Sequence, residues 1–320
     1  GSAVMQICLL FVGFRGKIGL TNEKRRKDMT EGADISFVHL GISIQHMAKS
    51  FSIGGISFAY YGLIIGIGMV AGLLVAQSDA KRRGQNPDTY LDFAMYALIF
   101  SILGARIYYV IFQWGYYRNH LAEIINLRKG GLAIYGGIIA GILTLIVFTK
   151  KRKISFLSMA DTACLGLLTG QIIGRWGNFV NCEAFGGYTD GLFAMRLKRS
   201  IVNENMISQE LLEHLITENG IEYIQVHPTF LYESMWNLGV LLFLLWYRKR
   251  KKFTGEMMWL YLAGYGIGRA WIEGLRTDQL LIPNTSVAVS QALSVAVAVT
   301  AVLVIALYRR KMAGERKERT

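Results

Sequence analysis

The sequence predicts an all-α, polytopic membrane protein with seven transmembrane helices, an external amphipathic N-terminal segment and a small external head domain. Hydrophobic residues make up 52% of the 320 residues. Apolar runs of about 20 residues recur, which is the length that a helix needs to cross the hydrocarbon core. Lys and Arg cluster at the ends of these runs. Membrane topology therefore explains the net charge of +13 better than a nucleic-acid-binding face does.

The N-terminal part of the chain divides into two segments. We expect residues 1–28 to be an extension or a start-site artefact, because the apolar run at 4–14 is too short to span and Met29 offers another start. Residues 29–57 form the external amphipathic N-terminal segment, since the weak alternation at 34–55 suits a stretch that lies on the membrane surface.

Residues 58–308 form the predicted transmembrane catalytic domain. Its seven predicted spans are 58–76, 93–112, 131–148, 156–176, 230–247, 257–275 and 287–308. Small residues recur four apart in most of these spans, as at Gly68 and Gly72 or Gly166 and Gly170. This spacing allows helices to pack closely, and we interpret it as structural.

The distribution of basic residues predicts the orientation. The rows at 81–83, 150–153 and 248–252 and the basic tail 309–320 all fall on one side. The positive-inside rule then makes that side cytoplasmic, and with seven spans the N-terminus is external. The head insertion 187–226 is also external. In it, Ser208 is expected to cap a helix that ends at Asn219-Gly220, with strand-like runs at 192–197 and 221–226 on either side.

The stretch 174–186, with the sequence GRWGNFVNCEAFG, places polar residues at the end of an apolar span. Arg175 and Asn178 share a helical face, and Glu183 lies about two turns beyond Arg175. A charge inside a bilayer costs about 2.5–3.5 kcal/mol on insertion scales, so these residues need partners or a wet cavity. The alternative is a helix end whose arginine extends to the interface. We interpret the stretch as a functional site.

Other spans bring polar residues to the same predicted level. Tyr265, Arg269, Glu273 and Arg276 follow at intervals of four, four and three, so they share one face of the sixth span. An ion pair that neutralises itself would account for Arg269 with Glu273 alone. Other spans add a further set of polar residues: Glu233 in the fifth, Arg106 in the second, Tyr135 in the third and Tyr61 in the first. We expect Arg106 to need a carboxylate or a phosphate.

Arginines in such a place suit a phosphate, because the guanidinium stays charged out of water and forms paired hydrogen bonds. No HExxH, P-loop, Ser-His-Asp order or carboxylate metal box occurs in the sequence, which argues against metalloprotease, ATPase and serine hydrolase chemistry. The three cysteines show no metal spacing. We predict no metal and no cofactor.

These blocks resemble those of the bacterial prolipoprotein diacylglyceryl transferases. The stretch 174–186 matches the signature Gly-Arg-x-Gly-Asn-Phe-x-Asn-x-Glu-x-x-Gly. The family's other blocks occur along the chain in the family's order, as DISFVHLGISI, GARIYYVIF, GGLAIYGG, HPTFLYE and GYGIGRAWIEGLRTD. The resemblance covers about 34–308 and implies seven helices and an extracytoplasmic head in a bacterial cell membrane. It implies transfer of the diacylglyceryl group of phosphatidylglycerol to the lipobox cysteine in the signal peptide of a preprolipoprotein. A thioether forms and glycerol phosphate leaves.

The resemblance also implies the site residues. The signature residues are Arg175, Asn178, Glu183 and Gly186, and Glu233, Tyr265, Arg269, Glu273 and Tyr61 come from the other blocks. One position departs from the pattern, because this chain has Tyr135 where well-known members have a histidine in the GG-x-x-x-His-GG block. A phenol with a pKa near 10 is a poor base at neutral pH. The general base therefore stays open: a carboxylate or the phosphate itself takes the proton, or the histidine is not a base in any member.

We hypothesise that Arg175 and Arg269, with Arg276 beside them, bind the lipid phosphate and stabilise its growing charge. Glu233 and Glu273 orient the arginines and bind the glycerol headgroup, and Tyr135 forms a hydrogen bond and does not abstract a proton. Two alternatives remain, another phospholipid headgroup transferase or a membrane transporter with an anion-binding polar core. A transporter of that kind often has two internally related halves, and the sequence shows no convincing repeat.

Overall fold

The computed structural model describes residues 33–53, 56–127, 130–283, 285 and 287–317. Residues 1–32, on which the expected extension falls, lie outside this set. The helices are α1 (Tyr60–Arg82), α2 (Asp88–Phe112), α3 (Trp114–Tyr117), α4 (Ile134–Arg152), α5 (Phe156–Asn181), α6 (Gln209–Glu213), α7 (Thr229–Tyr247), α8 (Glu256–Glu273) and α9 (Val289–Lys317). Short 3₁₀ turns lie between them, one of them at Leu121–Ile125.

Six of these helices are long and apolar enough to cross a membrane: α1, α2, α4, α5, α7 and α9. They confirm a polytopic, mostly helical protein. The predicted sixth span, 257–275, is α8, which has 18 residues. Within that length it carries Glu256, Arg269 and Glu273, so its composition alone does not identify it as a span. The same charges make α8 important for the site.

The prediction of an all-α protein is wrong, because the chain also forms a five-stranded antiparallel sheet. Its strands are β1 (Ala33–Phe37), β2 (Ile42–Met47), β5 (Met195–Lys198), β6 (Ile216–Glu218) and β7 (Ile221–Val226), in the order β2-β1-β5-β7-β6. A separate hairpin joins β3 (Ser50–Ile53) to β4 (Ile56–Ala59). We call the five-stranded sheet with α6 the head unit.

The segment 34–55, expected to be an amphipathic stretch on the membrane surface, supplies β1, β2 and β3. Ile35 and Phe37 are buried on one face of β1, which is the two-residue period of a strand. The partner β5 lies about 160 residues later in the chain, and no local sequence signal could reveal that pairing. The first span also begins later than predicted, at Tyr60, because Phe58 belongs to β4.

The head insertion follows its prediction in part. Ser208 caps α6, accepting a hydrogen bond from the backbone N–H of Leu211 at 3.4 Å, and β7 has the predicted bounds. The helix is shorter than predicted, however, because it ends at Glu213. Asn219 and Gly220 both have positive φ (53° and 78°) and form the two-residue turn of the β6–β7 hairpin, not a helix end. Asn-Gly is the residue pair that such hairpin turns favour.

Two kinds of packing hold the site's helices in place. Between α1 and α5, a Cβ added at Gly72 would lie 2.5 Å from the carbonyl oxygen of Gly166, which confirms the structural reading of these small residues. At the other end of α5, Phe179 and Phe230 of α7 join the buried core beneath the head unit. The head unit therefore rests on the end of α5 and the start of α7.

Candidate functional site

The centre of the candidate site is Glu233, on the second turn of α7. Its side chain is only 5% exposed. Helix α7 begins at Thr229, directly after Pro228, and the Thr229 hydroxyl donates a hydrogen bond to the carbonyl oxygen of Ala184. This bond connects the start of α7 to the loop that follows α5. The carboxylate of Glu233 is thereby directed into the interior of the helix bundle.

Arginines from two other helices contact the two oxygens of Glu233. Arg175 of α5 places its Nε 2.5 Å from Oε2, and Arg269 of α8 donates from Nη1 to Oε1 at 2.6 Å. Both arginine side chains are 16–20% exposed. The fourth, fifth and sixth predicted spans therefore meet at one carboxylate. This agrees with the expectation that their polar residues lie at the same depth in the membrane.

The second carboxylate of the site is Glu273, one turn after Arg269 on α8. It forms an ion pair with Arg269 Nη2 and accepts a hydrogen bond from the Ser290 hydroxyl of α9 at 2.5 Å. Arg276 follows, with its Nη1 at 4.0 Å from Glu233 Oε1 and its Nε at 3.9 Å from Glu273 Oε2. We call Arg175, Glu233, Arg269, Glu273 and Arg276 the Glu233 cluster.

Arg276 also binds Asp278, which the sequence analysis did not select. The two nitrogens Nε and Nη2 donate to the two carboxylate oxygens at 2.8 and 2.7 Å. Burial opposes the charge on Arg276, but Asp278 and the nearby Glu273 and Glu233 outweigh burial and raise the pKa of the guanidinium. Burial likewise opposes the charge on Asp278, yet the bonds from Arg276 hold the pKa of this carboxyl below its usual range.

The Glu233 cluster has hydrogen-bonding capacity that the protein does not use. Glu233 Oε2 and Glu273 Oε2 are buried and touch arginine nitrogens, but neither accepts an aligned hydrogen bond. Among the described residues, no partner binds the terminal nitrogens Nη1 and Nη2 of Arg175. Buried polar groups normally find partners, so the two carboxylate oxygens suit a ligand that carries hydroxyl donors. The terminal nitrogens of Arg175, on a side chain that is 20% exposed, suit a ligand that carries acceptors. Three arginines in one cluster favour an anionic ligand.

A second polar group lies beside this cluster at the end of α5. Asn178 donates a hydrogen bond to Glu183 Oε1 at 3.1 Å, and Tyr61 of α1 lies close enough to interact electrostatically with Glu183 and Arg175. Gly177 makes this approach possible, because a Cβ there would lie 2.9 Å from the Tyr61 ring. Asn181 Oδ1 is buried without a hydrogen bond. Four of the sequence-selected residues thus come together here.

Gly186 has a packing role in the structure. Its N–H donates to the carbonyl oxygen of His227 at 3.0 Å, and it forms a β-bridge with Arg276. A Cβ at Gly186 would lie 2.7 Å from the carbonyl oxygen of Leu275, so only glycine fits there. This position connects the loop after α5 with the segment that carries Arg276. His227 itself is a half-buried residue whose pKa burial holds below the ordinary value.

Two tyrosines from the sequence analysis lie apart from these contacts. Tyr265, one turn before Arg269, stacks on Tyr261 with ring centroids 5.8 Å apart. Tyr135 lies in the first turn of α4 and is half-buried. In the part of the chain that the structure describes, no hydrogen bond or ion pair joins Tyr135 to the Glu233 cluster.

The expectation that Arg106 needs a carboxylate or a phosphate is wrong. Arg106 donates to five backbone carbonyl groups, namely those of Glu123, Ile124, Asn126, Gly130 and Gly131. A guanidinium has five N–H donors, so these bonds occupy all of them. The carbonyl groups of these loop residues carry no side-chain signal in the sequence, so these partners of Arg106 could not be predicted.

A second group of buried charges, which no sequence pattern indicated, lies at the other end of the bundle. It consists of Asp79, Arg83, Asp161, Arg248 and Lys251, and we call it the Asp161 cluster. Asp161 lies in the same apolar run as Cys164, and one charge in that run did not prevent its interpretation as a membrane span. Within the described ranges, no group of three or more His, Cys, Asp or Glu side chains could hold a metal ion.

Comparison with known proteins agrees with the blocks described above. A family model described as prolipoprotein diacylglyceryl transferase matches residues 48–307. A phosphatidylglycerol–prolipoprotein diacylglyceryl transferase of Clostridioides difficile is 43% identical, over 73% of this chain and 84% of its own length. Proteins of the same name from Bacillus mycoides and Bacillus cereus are 41% and 40% identical, over 79% and 82% of this chain and 88% and 92% of their own lengths.

Proposed function

The chain belongs to the prolipoprotein diacylglyceryl transferase family, and on this premise we propose that the Glu233 cluster is the site of the transfer. The enzyme moves the diacylglyceryl group of phosphatidylglycerol to a preprolipoprotein. The acceptor is the lipobox cysteine of the signal peptide. Both substrates lie in or at the membrane, in keeping with six apolar helices that are long enough to span it.

The reaction exchanges one bond for another. The cysteine sulfur attacks the carbon of the diacylglycerol that carries the phosphate, so a C–S bond forms there and the bond from that carbon to the phosphate oxygen breaks. Glycerol phosphate leaves with the electron pair of the broken bond, and the thiol proton goes to a base or to the phosphate. Two things limit the rate: a thiol with a pKa near 8.5 is a weak nucleophile, and the leaving phosphate gains charge.

The observation that supports this proposal best is the unused hydrogen-bonding capacity of Arg175 beside Arg269 and Arg276. Arg269 and Arg175 bind the phosphate, and Arg276 adds charge at the edge of the site. Preorganised donors aimed at developing charge are typically the largest contribution to catalysis. Glu233 fixes Arg175 and Arg269 relative to each other, so that both guanidinium groups face one ligand. Glu273 fixes Arg269 from the other side.

The remaining residues have supporting roles in this proposal. Asn178, Glu183 and Tyr61 lie beside Arg175 and bind the glycerol headgroup. Tyr265, one turn before Arg269 on α8, lines the site. Gly186 keeps the segment that carries Arg276 in place. Tyr135 donates a hydrogen bond and is not the general base.

The proposed topology has seven crossings, with α8 as the sixth. Alone α8 is too charged to be recognised as a span, but Arg269 and Glu273 neutralise each other and pair with buried partners, which lowers the cost of their burial. The head unit and the Glu233 cluster are then external and the basic tail 309–320 cytoplasmic. The membrane is the cytoplasmic membrane of a bacterium.

Two experiments test this proposal. Purified enzyme with phosphatidylglycerol vesicles and a lipobox peptide should yield peptide that carries a diacylglyceryl thioether, and a peptide with Ser in place of Cys should yield none. Release of glycerol phosphate without modified peptide would indicate another headgroup transferase. For the topology, single cysteines replace exposed Thr217 and Lys249 in a cysteine-free background. An impermeant thiol reagent outside the cell should label position 217 only, and the reverse pattern excludes the orientation.

A further inference from the structure

Arg106 and the paired glycines Gly130 and Gly131, which precede α4, form one hydrogen-bonded unit. The five carbonyl groups that Arg106 binds come from the described parts of the connection between α3 and α4, residues 121–127 and 130–131. Two of them belong to Gly130 and Gly131, each at 2.9 Å from Nη1. The Arg106 side chain is buried, with the residue only 6% exposed. A buried charge of this kind persists only where hydrogen bonds replace its water.

The glycines are required by this arrangement. Gly130 and Gly131 have φ of +82° and +79°, which turns both carbonyl oxygens toward the same nitrogen and disfavours any other residue. A Cβ at Gly131 would lie 2.4 Å from Arg106 Nη1 and 2.7 Å from the ring of Tyr109. The guanidinium also lies over the rings of Tyr109 and Tyr117, at 5.9 and 5.1 Å from their centroids. The backbone therefore closely surrounds the cation.

The same unit fixes the backbone on both sides of Tyr135. Before it, the N–H of Ala133 donates to the carbonyl oxygen of Ala105 at 3.1 Å. After it, Gly136 packs so closely on α2 that a Cβ there would lie 2.4 Å from the Gly104 carbonyl oxygen. Residues 104–109 of α2 thus hold residues 130–137 through Arg106, one backbone bond and one glycine contact.

We propose that Arg106 is a positioning residue for the reaction, acting through Tyr135. It binds no substrate, because its five donors are occupied. Its role is to hold residues 121–127 and 130–131, and with them the first turn of α4, so that the Tyr135 hydroxyl stays in place to donate its hydrogen bond during the reaction. This inference rests on the proposed function, which gives Tyr135 that hydrogen bond.

The test uses the full-length enzyme and the substitution Arg106→Lys. Lysine keeps the charge but has three donors, and these cannot reach carbonyl groups on both sides of a planar fork. The matched control is Arg152→Lys at the other end of α4, where Arg152 forms an exposed ion pair with Asp92 at 2.6 Å. An exposed pair contributes about 0–1 kcal/mol, so the control should behave as the parent enzyme.

The first measurement is amide hydrogen exchange, which is independent of activity. In Arg106→Lys, amides in residues 121–137 should exchange about tenfold faster or more, because the hydrogen bonds that hold the connection closed are lost. Exchange in α5 and α7 should not change. Parent-like exchange at 121–137, or faster exchange throughout the protein, would show that Arg106 does not position this segment.

The second measurement is a double-mutant cycle with Tyr135→Phe. Arg106→Lys should lower kcat about tenfold, with KM for phosphatidylglycerol within about twofold of the parent. In the Tyr135→Phe background it should lower kcat little further, since both changes remove the same hydrogen bond. Additive losses would overturn the link to Tyr135. If Tyr135→Phe alone is fully active, the role proposed for Tyr135 fails, while the exchange result still decides whether Arg106 holds the segment.

Discussion

The two groups of buried charges, the Glu233 cluster and the Asp161 cluster, lie at opposite ends of the same helices. Arg175 follows Asp161 by 14 residues on α5, a rise of about 21 Å along the helix. Both clusters contain arginines and carboxylates, and both are buried. Burial and charge alone therefore do not distinguish the proposed catalytic site from the other cluster.

The clusters differ in how far the protein satisfies their carboxylates, although one nitrogen of the Asp161 cluster, Arg83 Nη1, is also buried without an aligned hydrogen bond. Asp161 is fully buried and accepts hydrogen bonds from the backbone N–H groups of Gly255 and Met258, at 2.9 and 3.0 Å. It therefore caps the start of α8, where a negative charge also favours the helix dipole. Nearby, Glu256 is equally satisfied, by Tyr247, Arg309 and the N–H of Lys252.

In the Glu233 cluster the carboxylates touch only side chains, and two of their oxygens lack aligned hydrogen bonds. Side chains from α5, α7, α8 and α9 meet there, and none of the described backbone N–H groups donates a hydrogen bond to these two oxygens. A charge that binds backbone at a helix end stabilises the fold, whereas charges with spare donors can bind a ligand. Four substitutions test this distinction, and we give them from the largest expected effect to the smallest.

The largest loss of activity is expected for Glu233→Gln. Without the carboxylate charge, Arg175 and Arg269 lose the group that fixes them relative to each other, so transfer should slow by a factor on the order of a hundred or more, about 2.7 kcal/mol of barrier. The matched control is Glu256→Gln, which removes a buried carboxylate of the satisfied kind at the other end of α8. Its specific activity, measured on monodisperse protein, should stay near that of the parent. Equal losses in both variants would contradict the distinction.

Asp161→Asn should affect stability and not the reaction. The amide keeps an acceptor for one backbone N–H, but it loses the charge that faces Lys251 at 3.3 Å and Arg83. We expect a loss of about 1–3 kcal/mol, seen as a lower thermal unfolding midpoint in detergent. The KM and kcat of the folded enzyme should not change. A drop in kcat with an unchanged midpoint would place Asp161 in the reaction.

Arg269→Lys keeps the charge of the Glu233 cluster and removes the planar fork. Arg269 contacts both Glu233 and Glu273, and one ammonium group cannot hold both carboxylates and a phosphate in the same geometry. Activity should fall at least about tenfold, or about 1.4 kcal/mol of barrier, while the detergent-solubilised yield stays the same. Full activity in this variant would exclude paired phosphate binding by Arg269.

Asp278→Asn should have the smallest effect, and that effect should depend on pH. The pKa of Asp278 is lower in the folded protein than in the unfolded chain, so its ion pair with Arg276 stabilises the fold above the unfolded value, near pH 4. The contribution is lost as the pH falls through the lower folded value. Because the side chain is partly exposed, we expect less than about 1 kcal/mol. Thermal midpoints of parent and variant should therefore differ at pH 7 and converge in acid.

Much of the architecture could be predicted from the residues themselves. Hydrophobicity and charge are local properties, so the membrane helices and the basic rows between them are visible in the sequence. The residues of the Glu233 cluster were also expected to lie together, and the structure brings them into contact. Arg175, Glu233, Arg269 and Glu273 stand out because each is a charge inside an apolar run, and such charges need partners.

Partner choice was decided by the tertiary structure. Arg106 and Arg175 are both arginines near the end of an apolar helix, yet one binds five carbonyl groups and the other a carboxylate. The difference comes from residues 123–126 and 130–131, whose carbonyl groups surround Arg106, while α7 and α8 bring Glu233 and Arg269 to Arg175. In the same way, β1 pairs with β5 across about 160 residues. The sequence by itself determined which groups need a partner in an apolar environment, because the free-energy cost of burying an unpaired charge is a property of each side chain. Only the packing of distant segments determined which group satisfies which, because a hydrogen bond depends on positions that the folded chain alone creates.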